Sequence, residues 1–178
     1  MSEFLKSITN IVLIAGSGQN VGKSYLGEHI IKQLCKEYQI TTLKISSHFH
    51  NPTDGVILLH SDDDYRIFKE TISSSKKDSQ RYLQAGAYNS YYAEVKSDKM
   101  QHFINELHLI IDISEIIIVE SATFGNFINP NLAFYIDGEE ITKCEWSFLY
   151  YHLISKNSKI ENLPKRINFI QNQWHLEI

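Results

Sequence analysis

The chain has 178 residues, of which 43% are hydrophobic and 12% aromatic, enough for one sizeable core and therefore one domain spanning residues 1–178. A formal net charge of −4 argues against a protein whose main partner is a nucleic-acid backbone, and no apolar run reaches the ~18 residues that a membrane helix needs. With no secretory pattern we expect a cytoplasmic protein, and the two cysteines, Cys35 and Cys144, exclude a disulfide framework and are expected to be buried thiols in helices.

The first elements in chain order predict a β-α-β unit. Ile11 to Ala15 is a short apolar run that ends at a glycine, which is typical of a strand buried on both faces. The next segment changes period, because Leu26, Ile30, Ile31 and Leu34 share one helical face. "QITTLKISS" then predicts a second strand, parallel to the first.

The segment after residue 56 has two interpretations. "VILLHSDDDYRIFKETI" predicts a hairpin that turns near Ser61 to Asp64, and the alternative is a strand followed by a helix capped at Ser61. We favour the hairpin, with the aspartates in its solvated turn. The polar tract Ser73 to Ser79 is expected to be a mobile loop, "DSQRYLQAGA" a short helix and "YNSYYAEV" a strand.

The remaining elements continue the alternation of helices and strands. "SDKMQHFINELHLI" predicts a helix with Ser97 as N-cap and Met100, Phe103, Ile104 and Leu107 inward. "EIIIVE" and "LAFYID" predict buried strands, Trp146, Leu149 and Leu153 a helix, and "RINFI" a final strand. The fold class is therefore α/β, a three-layer α/β/α sandwich around a mostly parallel sheet.

The joint between the first strand and the first helix reads GSGQNVGKS, residues 16–24. The pattern G-x-x-x-x-G-K-[ST] forms phosphate-binding loops, and here Ser17 stands where the first glycine belongs. In such a loop the backbone amides and the helix N-terminus hold phosphates, Lys23 spans the β- and γ-phosphates, and the Ser24 hydroxyl ligates Mg²⁺. The alternative is a glycine turn that only connects strand to helix. The candidate nucleotide-binding residues are Gly16, Ser17, Gly18, Gln19, Asn20, Val21, Gly22, Lys23, Ser24 and Tyr25.

Two other strands end in polar residues at the edge of the sheet where ligands bind. Glu120 ends the "IIIV" strand, and beside phosphates its natural partner is Mg²⁺, although a solvated or lysine-paired carboxylate is the alternative. Lys44 ends the second strand and is a candidate for neutralising phosphate charge, or else a surface lysine. His48 and His50 make a weak zinc pair, and we prefer contacts to substrate or phosphate over a zinc site, with plain loop histidines as the alternative.

Several of these motifs resemble one family. Gly16 and Val21 to Ser24 are similar to the loop of dethiobiotin synthetases and related P-loop NTPases. "LKISSHFH", "KDSQRYLQAGA" (Lys77 to Ala87) and "IIIVES" resemble, in the same order, segments of the molybdopterin-guanine dinucleotide biosynthesis protein B (MobB) family. Relative to that family the predicted hairpin is an insertion.

The resemblance implies a function and a site. Ser24 and Glu120 would be linked to Mg²⁺, Lys23 and Lys44 would face phosphates, and Asp78 would line the nucleotide side. Lys23, Lys44 and Glu120 are the candidate catalytic residues. The family binds GTP or sometimes ATP, hydrolyses it slowly, and serves as a dimeric adaptor that assists attachment of the nucleotide to molybdopterin.

The sequence therefore supports three candidate functions. The first is a MobB-like accessory protein that binds Mg²⁺ and ATP or GTP and is a weak NTPase. The second is an ATP-dependent ligase or kinase, similar to dethiobiotin synthetase, that acts on a small acceptor. The third is a partner-binding switch governed by the bound nucleotide. No Asn-Lys-x-Asp guanine-reading motif is present, so the sequence leaves ATP and GTP open, and we expect neither nucleic acid nor membrane as a partner.

Overall fold

The computed structural model describes residues 10–51, 54–71, 78–111, 116–138, 152–155 and 163–177, and the statements below concern these residues. They form an α/β structure with a mostly parallel mixed sheet. The strands are β1 (Ile11–Gly16), β2 (Ile40–Ser46), β3 (Val56–Ser61), β4 (Tyr65–Glu70), β5 (Asn89–Val95), β6 (Ile116–Glu120), β7 (Leu132–Asp137), β8 (His152–Ser155), β9 (Arg166–Ile170) and β10 (Gln173–Glu177). The helices are α1 (Lys23–Leu34), α2 (Asp78–Ala85) and α3 (Met100–Ile110).

Eight strands form one sheet in the order β3-β4-β5-β2-β6-β1-β7-β8. From β5 to β8 all neighbours are parallel, whereas β3 and β4 are antiparallel additions at one edge. In the register of β6, Glu120 lies opposite Ile14 of β1 and Lys44 of β2. This register brings the carboxyl ends of three strands to one place, where the candidate site residues lie.

Helices pack on both faces of the sheet, consistent with a three-layer arrangement. On one face, Phe103 and Ile104 of α3 contact a buried cluster that includes Leu13 of β1. On the other, Ile30 of α1 and Tyr82 of α2 belong to a second cluster. Successive residues of β1 alternate between the two clusters, and the inward faces predicted for α1 and α3 are confirmed.

The hairpin between residues 56 and 70 is confirmed, and the helix alternative is excluded. Its turn contains Asp62, whose carboxylate accepts hydrogen bonds from the amides of Asp64 and Tyr65 at 2.7 and 2.8 Å. These bonds close the turn, so the aspartates serve as turn residues, as expected.

Two helix predictions are wrong. Ser97 does not cap α3, because residues Ser97–Lys99 form a 3₁₀ turn and Lys99 occupies the N-cap position without a side-chain hydrogen bond. Leu153 lies in strand β8 rather than in a helix, and Trp146 and Leu149 lie outside the described residues. The four residues of β8, His-Leu-Ile-Ser, are too few to show the period of either element, and here they pair with β7 at the edge of the sheet.

Two further corrections concern the C-terminal region and the thiols. The strand predicted at "RINFI" is confirmed as β9, but it is not the final strand, because β10 follows it. The two strands pair in a separate two-stranded hairpin that packs on α1. Cys35 is a free thiol at the C-cap of α1 and only partly buried, contrary to the prediction, while Cys144 lies outside the described residues. No helix within the described ranges is long and apolar enough to span a membrane.

Candidate functional site

The loop between β1 and α1 has the backbone that its glycines predict. Gly22 is the N-cap of α1 with φ of 107°, a left-handed conformation that favours glycine, and no side chain caps the helix. Asn20 also has positive φ, 57°, which asparagine tolerates better than most residues. The first amides of α1 are thus left without a side-chain partner at Gly22, as an anion-binding helix start requires.

The displaced glycine of the motif has a structural reason. A Cβ on Gly16 would lie 2.8 Å from the carbonyl oxygen of Ile136 and 2.7 Å from Val21 Cγ2, so position 16 requires glycine. Ser17 is fully buried, and its hydroxyl accepts a hydrogen bond of 2.7 Å from the amide of Gly138. Serine at 17 therefore ties the start of the loop to the end of β7, while glycine one position earlier permits the close approach of the strands.

Lys23 folds back over the loop that precedes it. Its Nζ donates a hydrogen bond of 2.5 Å to the carbonyl oxygen of Gly18. Lysine of a phosphate-binding loop reaches the terminal phosphates as a point charge. The ammonium group therefore lies directly over the loop in which phosphates would bind.

Glu120 is the centre of the site. Its side chain is 5% exposed, and its Oε2 accepts a hydrogen bond of 3.0 Å from Ser24 Oγ and a short one from the Tyr82 hydroxyl. Oε1 lies 3.1 Å from Lys44 Nζ, whose side chain is 23% exposed. Side chains from four elements, β6, α1, α2 and β2, thus meet at one buried carboxylate. Burying the charge of Glu120 without such partners would be very costly.

A cavity of about 550 Å³ opens beside this carboxylate. Arg81 on α2 borders it and pairs with Glu28 of α1 at 2.5 Å. Tyr25, also on the rim, is 47% exposed. The volume is within the range of small-molecule sites. Its other lining residues are Gln19, Asn20, Gly22, Lys23, Ser24, Lys44, Ile45, Ser46 and Glu120.

The residues present fit Mg²⁺ bound together with phosphates. Within the described ranges no group of three or more His, Cys, Asp or Glu residues could hold a metal ion alone. Mg²⁺ is seldom held by an all-protein cage and takes most of its ligands from water and substrate phosphates. A hydroxyl, Ser24, backed by a carboxylate, Glu120, at the rim of a polar cavity is the donor set that such binding needs.

Three other predicted residues are less central. Asp78 begins α2, but its side chain is outside what the structure describes. The rings of His48 and His50 are exposed and lie 6.4 Å apart, and the His50 amide donates to Glu94 Oε1. His48 lines an adjoining cavity of about 160 Å³ against the loop, and His50 is not among its lining residues.

Sequence reasoning missed Tyr82 and Arg81 as site residues, although both lie in the quoted stretch Lys77 to Ala87. Tyr82 and Ala85 are three residues apart on one face of α2, and this spacing indicates packing on α1 and the sheet. The spacing could not indicate the hydroxyl contact, because Tyr82 and Glu120 are 38 residues apart in sequence.

Tyr92, in the middle of β5, has a raised pKa. Burial is the largest effect and raises the pKa of Tyr92. A hydrogen bond with Ser46 opposes this rise, the Glu94 carboxylate adds to it, and Lys44 has the smallest effect, which lowers the pKa. Tyr92 therefore stays a neutral hydrogen-bond donor, and its hydroxyl lies 3.4 Å from Glu94 Oε1.

The chain was also compared with known proteins. No known family model matches it, and neither the curated proteins nor the solved structures contain a significant match.

Proposed function

We propose that this chain is a P-loop NTPase that binds a nucleoside triphosphate with Mg²⁺ in the loop of residues 16–24. The observation that carries the proposal is the 3.0 Å contact between Ser24 Oγ and Glu120 Oε2. It joins the first turn of the helix after the loop to the end of a neighbouring strand, and Lys23 and Lys44 border the same cavity. A turn that only connected β1 to α1 would need none of these groups.

The proposed roles follow from the chemistry of each group. Backbone amides of the loop and the N-terminus of α1 hold the phosphates, and Lys23 leaves the Gly18 carbonyl to contact the terminal ones. Bound Mg²⁺ would neutralise phosphate charge and would be held by Ser24, with Glu120 accepting from the Ser24 hydroxyl. Lys44 and Arg81 place two more cations at the cavity, where they stabilise charge that develops on the phosphoryl group.

The cellular role we propose is that of a MobB-like accessory factor, which binds ATP or GTP, hydrolyses it weakly and acts on molybdopterin as a homodimer. Its support is the resemblance in Lys77 to Ala87. Helix α2, built from the described part of that stretch, supplies both Tyr82 against Glu120 and Arg81 at the cavity.

A thermal-shift panel with Mg²⁺ and ATP, GTP, ADP, GDP or molybdopterin tests this function. A ligand at 100 times its dissociation constant stabilises the folded protein by about 2.7 kcal/mol. We expect a shift with a triphosphate, and a further shift when molybdopterin is added to GTP. The absence of any nucleotide shift in the wild-type protein would refute the proposal.

The variant Lys23→Ala tests the loop itself. Loss of a charged hydrogen bond worth about 1.5–3 kcal/mol should weaken triphosphate binding by about ten- to a hundredfold. Lys32→Ala is the matched control, because Lys32 is an exposed lysine in the last turn of the same helix. Calorimetric titration should show normal affinity for the Lys32 variant, and equal affinity in both variants would sink the loop assignment.

A second candidate function, an ATP-dependent ligase or kinase, is favoured by a different observation. The cavity of about 160 Å³ against Gly18 and Lys23 shares Ser47 and Ser97 with an outer groove of about 720 Å³. A small acceptor bound in these adjoining cavities would lie close to Gly18 and Lys23, where the terminal phosphate would bind. Hydrolysis or transfer that rises sharply with one metabolite would favour this candidate, and unchanged turnover across a metabolite library would count against it.

A further inference from the structure

The aromatic side chain beneath the site is Tyr82, which is 1% exposed. Its hydroxyl donates to Glu120 Oε2, the same oxygen that accepts from Ser24 Oγ. Helix α2 is held in place just before Tyr82, since Gln80 donates to Glu70 at 2.9 Å and Arg81 pairs with Glu28. The Tyr82 hydroxyl is therefore positioned through contacts of its own helix.

Gly27 of α1 makes room for this hydroxyl. A Cβ at position 27 would lie 2.8 Å from Tyr82 Cε1 and 2.9 Å from its hydroxyl oxygen. Glycine in the interior of a helix costs about 0.5–1 kcal/mol relative to alanine. The buried glycine that faces the Tyr82 ring thus lowers the stability of the helix but permits the contact between Tyr82 and Glu120.

The two donors to Oε2 fix the orientation of the carboxylate. With Lys44 at Oε1, Glu120 has one ion-pair partner and two hydroxyl donors, so its plane cannot rotate without breaking a contact. A hydroxyl that donates to a carboxylate keeps its lone pairs for a metal. Partners behind a metal ligand commonly change metal affinity by 10- to 100-fold when they are removed.

We propose that Tyr82 is a positioning residue, which holds Glu120 so that the Ser24 hydroxyl points its lone pairs toward the bound Mg²⁺. Glycine at position 27 leaves the space that the Tyr82 ring needs for this contact. The inference rests on the proposed function. It predicts that Tyr82 affects the Mg²⁺ dependence of nucleotide binding and leaves Mg²⁺-independent binding to the loop intact. A tyrosine that served only to fill the core would change both or neither.

The test is a titration of Mg²⁺ at fixed ATP and GTP, read as thermal shift and as calorimetric nucleotide affinity, with a parallel series in EDTA. Tyr82→Phe should raise the Mg²⁺ concentration for half-maximal effect by about tenfold and leave affinity in EDTA within about twofold. Tyr65→Phe is the matched control, because Tyr65 is also fully buried and its hydroxyl also donates to a glutamate, Glu106, outside the site. The control should titrate as the wild type does.

Gly27→Ala provides a second route to the same effect, since its methyl group displaces the Tyr82 ring while alanine suits the helix. In a double-mutant cycle the Gly27 and Tyr82 changes should be less than additive on the Mg²⁺ midpoint. A wild-type Mg²⁺ midpoint for Tyr82→Phe, or an equal loss with and without Mg²⁺, would overturn the role of Tyr82 and leave nucleotide binding standing. A wild-type protein without any nucleotide response would overturn both proposals.

Discussion

Replacing Ser17 by the glycine that the loop pattern has at this position should lower the stability of the protein. Ser17→Gly removes a fully buried hydroxyl that accepts at 2.7 Å from the amide of Gly138, itself buried. A buried donor left without its partner costs about 1–3 kcal/mol. Ser17 does not have positive φ, so glycine brings no relief of strain and adds about 0.4–1 kcal/mol of chain entropy in the unfolded state.

The sum is a loss of about 1.4–4 kcal/mol in the free energy of unfolding, or about 3–16 °C in Tm for a chain of this length. Urea denaturation of the nucleotide-free protein measures it, with Ser17→Ala to separate the lost hydroxyl from the added entropy. Ser47→Gly, at an exposed serine, is the control for the entropy alone. If Ser17→Gly unfolds at the same or a higher urea concentration than the wild type, the reason given for the displaced glycine is wrong.

Two further predictions concern Arg81 and Asp62. Arg81→Ala should lower triphosphate affinity, measured by calorimetry. Its free energy of unfolding in urea should fall by less than about 1 kcal/mol, because the ion pair between Arg81 and Glu28 is partly exposed. A larger loss of stability with normal affinity would contradict the role of Arg81 at the cavity. Burial raises the pKa of Asp62, but bonds from His60 and from the amides of Tyr65 and Asp64 outweigh it and lower the pKa to about 2 from 3.8. A lowered folded-state pKa stabilises above the unfolded value, so this contribution should be lost as pH falls from about 3.8 to about 2. Because the Asp62 side chain is 37% exposed, its contribution to stability amounts to less than about 1 kcal/mol. Asp62→Asn should make the free energy of unfolding fall less steeply at acid pH, and an unchanged acid limb of the profile would contradict this prediction.

The sequence predicted those parts of the fold that one element's own pattern determines. The apolar run of β1, the inward face of α1 and the turn at Asp62 each follow from local periodicity or turn chemistry. The helix predicted at Leu153 is wrong because the four residues of β8 are too few to show a period, and the position of β8 depends on pairing with β7. The pairing of β9 with β10 was missed although Gln171 and Asn172 make their turn with positive φ, since that dipeptide lacks the glycine that normally marks it.

The candidate site divides in the same way. Lys23, Ser24 and Glu120 were found because a motif and a strand end mark them in sequence, and the structure brings Ser24 and Glu120 together. Tyr82 could not be found, because its hydroxyl contact depends on the packing of α2 over Gly27. Contacts between distant elements leave no periodic trace in a single sequence, so residues that position others are the ones that sequence reasoning misses.

The arrangement around Glu120 links the site to the stability of the whole sheet. Glu120 is in register with Lys44 on the neighbouring strand, and its other partners, Ser24 and Tyr82, come from two helices on one face. Local opening of any of these elements breaks a contact to the Glu120 carboxylate, and the free-energy cost of burying that charge is then no longer offset. Ligand that binds only when all four elements are in place stabilises them together, since binding to the folded state alone shifts the unfolding equilibrium. Bound nucleotide should therefore protect β2, β6, α1 and α2 together from hydrogen exchange. Protection confined to the loop would show that Glu120 is not coupled to the ligand.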